Sequence, residues 1–172
     1  MDTLYRYLLI GIACGALLLG IQVPNFVDQY EKRVDAHLLE VKNNLRGYQD
    51  IADRLYGGSI AALIDKHQQS GEEPFKQEAR PIKNMLDRYE HFAREQSSLA
   101  AGPIKRVAHI ITRGDRELLG ETYRNYSFTV PLNQGAVVWG FIFMGVVVGM
   151  IETLRMALLR IWRAKRRSGA HA

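Results

Sequence analysis

A single cysteine among 172 residues leaves no disulfide framework and no thiol cluster for zinc. With 15 glycines, five prolines and 47% apolar residues, the chain is neither collagen-like nor wholly disordered. Histidine is also sparse. His37, His67, His91, His109 and His171 include no pair spaced three or four apart, so no helical metal-ligand pattern arises. A glycine-rich phosphate loop, a nucleophile elbow and a His-Glu-x-x-His run are all missing. Carboxylates are plentiful (Glu72, Glu73, Asp87, Glu90), but no pattern pairs them. His91, near Asp87 and Glu90, reads as part of a solvated helix face. Arg113-Gly114-Asp115 spells an adhesion tripeptide, yet its aspartate is better used as a helix cap. The sequence points to no catalytic residue, no cofactor and no metal, and the protein is expected not to be an enzyme.

Charge is absent from two long stretches. Between Tyr7 and Val23 no residue is charged, and the same holds from Gly135 to Ile151. Seventeen residues of helix reach roughly 25 Å, the short end of what crosses a bilayer. The first stretch has Tyr5, Arg6 and Tyr7 as an interfacial collar. A cleavable signal peptide competes with an uncleaved anchor here. No small-x-small triplet closes the apolar run before Pro24, so the anchor is preferred. Gly11-Ile12-Ala13-Cys14 only faintly matches a lipoprotein acceptor, and Cys14 reads as a small packing residue. In the second stretch Trp139 and Trp162 stand 23 positions apart. On a helix that is roughly 35 Å, near the separation of the two aromatic belts. If both mark interfaces, Glu152 and Arg155 form an intramembrane ion pair at i,i+3. Alternatively, the span ends near Ile151 and an interfacial helix follows.

Small residues recur at helix-packing intervals. Gly11 and Gly15, then Ala16 and Gly20, stand in the first span, and Gly145 and Gly149 stand in the second. Such stripes let helix backbones approach where lipid supplies no hydrophobic drive. The expected use is to pack the two spans on each other, with a homo-oligomer as the second choice.

The net charge of +5 sits in one place. From Pro24 to Gln134 there are 16 basic and 16 acidic residues, whereas Arg155, Arg160, Arg163, Lys165, Arg166 and Arg167 face only Glu152. A basic run after an apolar helix signals membrane orientation, or contact with lipid headgroups, more simply than nucleic-acid binding. No nucleic-acid partner is expected. Two spans with a basic tail place both termini in the cytoplasm and the middle region outside it.

That middle reads as helices. Val34, Leu38, Val41, Leu45, Tyr48, Ala52 and Leu55 recur in alternating steps of four and three, a seam facing another helix. Asn25 is the expected cap after Pro24, Gly57-Gly58 the stop, and Ser59 the cap of a short helix. A third helix starts at Pro74 or Phe75 and is kinked or delayed by Pro81. Gly102-Pro103 breaks the chain again, and Asp115 caps the last segment. The reading is an all-α membrane protein: a span over 1–23, a helical domain of four to five segments over 24–134, a span over 135–159 and a basic tail over 160–172.

Several of these features together are similar to a family of small two-span bacterial inner-membrane proteins, the domain of unknown function 2937 type. They are Gln22-x-Pro24-x-Phe26-x-x-Gln29-Tyr30-x-x-Arg33, Glu73-Pro74-Phe75, Gly102-Pro103, and Tyr126 to Val130-Pro131-Leu132-Asn133-x-Gly135. The resemblance implies the bacterial inner membrane and a periplasmic middle domain, and it assigns no catalytic residue. The function expected is that of an accessory or scaffold protein, whose partners are the bilayer and either another membrane protein or copies of itself. The alternative is a periplasmic small-ligand sensor module. The ten residues after Trp162 are too few for an output domain, so a sensor would signal through a separate partner.

Overall fold

The structure, a computed structural model, describes residues 2–129 and 133–168, with side chains at 3–129 and 133–162. Among them every regular element is helical. The order is α1 (Asp2–Leu55), α2 (Ile60–Gln68), α3 (Glu73–Leu99), α4 (Pro103–Arg113), α5 (Arg116–Arg124) and α6 (Gln134–Ser168). Two helices are long and apolar enough to cross a membrane, α1 and the Gln134–Trp162 part of α6. The chain divides into two compact units, one formed by 1–26 with 127–172 and the other by 27–126.

Local chemistry sets most helix ends. Gly57 and Gly58 have φ of +58° and +86°, a left-handed turn that side-chain-bearing residues resist, and α1 stops there. The Ser59 hydroxyl accepts from the Ala62 N–H and opens α2. Pro74 stands in the first turn of α3 and Pro103 in that of α4, where a missing N–H costs nothing. Asp115 Oδ1 accepts from the Leu118 N–H at 2.9 Å and opens α5. Asn133 Oδ1 accepts from the Ala136 N–H at 2.8 Å and opens α6.

Two prolines lie inside helices and do not mark where a helix begins. Pro24 lies inside α1, so the first apolar stretch and the seam belong to one helix, and Asn25 is not its cap. A helix-interior proline costs about 3 kcal/mol or more. Burial offsets that cost on either side, through Ile21 and Asn25 before and just after it and Val27 and Tyr30 beyond. The Asn25 amide instead lies 3.1 and 3.2 Å from the carbonyls of Ser127 and Thr129. Pro81 likewise sits within α3, between the buried Ala79 and Ile82.

In the 27–126 unit, Val34, Val41, Leu45 and Ala52 of α1 are buried, and Leu38 and Tyr48 are half-buried. Leu63 and Ile64 of α2, Ile82 and Leu99 of α3, Ile110 of α4 and Leu118 of α5 complete this core. Leu55 departs from the expected seam. It is 70% exposed at the last position of α1, because the chain reverses at Gly57-Gly58 before another helix can cover it. No strand occurs among the described residues. Tyr126–Thr129 is irregular, and Val130, Pro131 and Leu132 of the expected linker lie outside the described residues. The α6 helix runs without a break through Ile151 and Arg160 to Ser168, so no change of backbone separates span from tail.

Candidate functional site

In the unit formed by the chain's two ends, α1 and α6 run antiparallel and touch backbone to backbone at one point. A Cβ placed on Gly20 would lie 2.7 Å from the Cβ of Phe143, 2.8 Å from the Gly140 Cα and 2.8 Å from the Trp139 carbonyl oxygen. A Cβ on Gly140 would meet Ile21 and Leu17 at 2.8 and 2.9 Å. Ala16 and Ala136 are buried alongside. Sequence reasoning missed Gly140, although Ala136 and Gly140 stand at the same four-residue spacing as Ala16 and Gly20.

The remaining glycines behave differently. Nothing lies within 4 Å of a Cβ built on Gly11, Gly15, Gly145 or Gly149. The expectation that these four pack the spans on each other within one chain is therefore corrected. A Cβ would fit at each, and Gly145 and Gly149 line an apolar groove of about 470 Å³ together with Leu9, Ile10, Ala13, Met144 and Val148.

Past the groove, Glu152 and Arg155 form the pair read from their spacing, at 3.5 Å. Sequence reasoning missed the third member. The Tyr5 hydroxyl donates to Glu152 Oε1 at 2.8 Å, and the Arg155 guanidinium lies 4.2 Å from the Tyr5 ring centroid. Tyr5 thus ties α1 to α6 over 147 residues of chain. Trp139 is half-buried and Trp162 exposed, and Arg160 is exposed. The side chains of Arg163, Lys165, Arg166 and Arg167, and all of His171, lie outside the described residues.

The 27–126 unit holds a buried polar network centred on Tyr30, which is fully buried. Its hydroxyl donates to Glu95 Oε1 at 2.7 Å and accepts from the Asp115 N–H at 2.9 Å. His109 Nε2 donates to the same Glu95 oxygen at 3.0 Å. His91 Nε2 donates to Asp115 Oδ2 at 2.9 Å, and His37 Nε2 donates to Glu121 Oε2 at 2.9 Å. The His37 and His91 rings both contact Phe92, at 5.3 and 5.4 Å between centroids. His91 therefore pairs with the Asp115 cap, not with its sequence neighbours Asp87 and Glu90. Each of these carboxylates accepts from two groups, Glu95 from Tyr30 and His109, Asp115 from His91 and the Leu118 N–H, and Glu121 from His37 and Arg33. No group of three ligand-type side chains suited to a metal occurs among the described residues. The arrangement fastens helices to one another.

Two of these carboxylates are shifted below their ordinary range. The His37 hydrogen bond is the main cause at Glu121, with Arg33 and Arg124 adding to it against a smaller burial effect. At Asp115 burial pushes upward, but the Leu118 N–H and His91 outweigh it. A carboxylate held low in the fold stabilises it above its unfolded pKa, and that stability is lost as pH falls. Resistance to unfolding should therefore decline below about pH 5. Glu121→Gln should flatten the slope of melting temperature against pH between about 5 and 3. An unchanged slope would remove these contacts from the account.

The described residues thus define a class: an all-helical protein with two helices able to cross a membrane and a second unit fastened by buried histidine–carboxylate and tyrosine–carboxylate bonds. The chain belongs to the family described as Protein of unknown function (DUF2937), matched over residues 4–166. No curated protein and no solved structure matches it. Of the motifs that carried the resemblance, Tyr30 centres the buried network and Arg33 reaches Glu121 at 3.5 Å. Phe75 packs edge-on against His67, and Asn133 opens α6.

Proposed function

We propose that this protein is a non-enzymatic accessory or scaffold protein of the bacterial inner membrane, which docks laterally on a larger membrane assembly or on copies of itself. In this reading α1 and α6 span the bilayer, both termini face the cytoplasm, and 24–134 forms a periplasmic helical bundle. The basic tail, with Arg160, Arg163, Lys165, Arg166 and Arg167, sets the orientation and meets anionic headgroups. A protein held in the membrane by two helices meets lateral partners at high effective concentration.

One observation carries the reading. Gly11, Gly15, Gly145 and Gly149 keep bare backbone on both apolar helices, and apart from the adjoining residues and backbone of their own helix turn nothing lies within 4 Å of where a Cβ would stand. Glycine is the least helix-favouring residue after proline, costing about 1 kcal/mol relative to alanine. Four unfilled glycines on two helices suit close approach by another helix.

The test separates lateral docking from folding. Gly15→Ile finds space in the chain, so melting temperature should stay within about 2 °C, as expected of a change below about 0.5 kcal/mol. The same side chain would block a neighbouring helix. Exposed Cys14, one position away, offers a native reporter. Oxidant-driven cross-linking in membranes should give a discrete Cys14 adduct with a second copy or a partner, and Gly15→Ile should abolish it. A protein that stays monomeric and partner-free, by cross-linking and by sedimentation in mild detergent, would overturn the proposal.

A further inference from the structure

A cleft of about 340 Å³ opens in the 27–126 unit where α1, α2 and α3 meet. That volume falls within the roughly 300–1,000 Å³ typical of small-molecule sites. Its floor is apolar: Leu45 of α1 and Ile60 of α2 are buried, and Leu86 of α3 is half-buried. Its rim is cationic. Lys42 and Arg46 stand one helical turn apart on α1, and Tyr89 reaches the cleft from α3.

The hydrogen bonds of the rim are unevenly used. Gln49 donates its amide to Asp53 and to the Gly58 carbonyl, so that side chain is committed. Arg46 donates from Nη2 to Asn43, and its other guanidinium N–H groups have no acceptor among the described residues. Lys42 and the Tyr89 hydroxyl make no hydrogen bond or ion pair among the described residues. Elsewhere on this unit the basic groups that line clefts are engaged, as Arg33 is with Glu121 and Arg106 with Glu31. Donors without acceptors therefore converge on one apolar-floored cleft. Asp50 at its edge reduces the charge of the lining to one net positive, which suits a monoanion better than a phosphate dianion.

We propose that this cleft binds a small amphipathic carboxylate, with its head between Lys42 and Arg46 and its apolar body on Leu45, Ile60 and Leu86. Charge-assisted hydrogen bonds from ammonium and guanidinium hold the head, and the Tyr89 hydroxyl supplies a further donor. The apolar floor excludes free inorganic anions by offering them no donors below the rim. The site stands apart from lateral docking: cleft and glycine faces share no residue, so either can fail alone.

Phenylacetate is a suitable probe, with full-length protein in discs of zwitterionic lipid and the Ile60 methyl resonance as readout. A saturable shift is expected with phenylacetate and none with phenylacetamide or phenethylamine at equal concentration. Lys42→Ala and Arg46→Ala should each weaken binding about threefold to tenfold, the range for partly exposed charged hydrogen bonds. Leu86→Trp, which fills the floor and keeps both cations, should abolish the saturable shift. A shift that only rises linearly with phenylacetate, an equal response to phenylacetamide, or unaltered affinity in both cation variants would overturn the assignment.

Discussion

Gly20→Val is expected to force α1 and α6 apart. The new Cβ would enter a space already occupied within 2.7–2.8 Å by the Phe143 Cβ, the Gly140 Cα and the Trp139 carbonyl oxygen. Two of those atoms are backbone and the third is fixed to it, so no flexible side-chain end can swing away. Overpacking of this kind commonly costs about 1–3 kcal/mol, and relief here requires moving a whole helix. Spin labels at the exposed positions Leu18→Cys and Phe141→Cys, with Cys14→Ser, would report the separation. The distance distribution should lengthen and broaden. Gly11→Val supplies the control, since nothing lies within 4 Å of its Cβ, and it should leave the distribution alone. Identical distributions in the Gly20 and Gly11 variants would show that the backbone contact does not hold the pair.

Tyr30→Phe is the second large effect. Phenylalanine keeps the fully buried ring and removes only the hydroxyl, which donates to Glu95 and accepts from the Asp115 N–H. The loss strips a donor from a buried carboxylate and leaves a backbone N–H without its acceptor. Hydrogen bonds to charged groups contribute about 1.5–3 kcal/mol and a stranded buried donor costs about 1–3, so a destabilisation of about 2–4 kcal/mol is expected. Equilibrium unfolding in denaturant would measure it. Combining Tyr30→Phe with Glu95→Gln should cost less than the separate losses together, because the two share one bond. A single-variant change within about 0.5 kcal/mol, the level of an ordinary surface substitution, would refute the role given to the hydroxyl.

Helix ends were the most legible part of the fold, because they are written in neighbouring residues. The Gly57-Gly58 stop, the Ser59 and Asp115 caps and the Gly102-Pro103 start each need only two to four adjacent positions. The all-helical character and the two segments apolar enough to cross a membrane follow from periodicity and charge-free runs. What depends on distant partners was not legible. Pro24 reads as punctuation locally, but burial on both its sides keeps α1 continuous. Leu55 satisfies the seam spacing, yet no helix extends far enough to cover it. Glycines at equal spacing looked alike, yet Gly20 and Gly140 meet a backbone across the helix pair and Gly11, Gly15, Gly145 and Gly149 do not, because the crossing point is set by both helices together. The Tyr5–Glu152 and Tyr30–Glu95 bonds join residues 147 and 65 positions apart, and no spacing rule connects such pairs.

Asp115 carries one further consequence. Its own N–H, and both its carboxylate oxygens, are taken by Tyr30, Leu118 and His91, which come from three different helices. The corner between α4 and α5 is therefore a locked joint, although it is only a short connection. Between α2 and α3 the backbone bonds of Gln69, Ser70 and Glu72 stay within their own turn, and the two helices are joined through the His67 side chain, which meets Phe75 and Glu78. Any movement within this unit should therefore carry α4 and α5 along as a single piece.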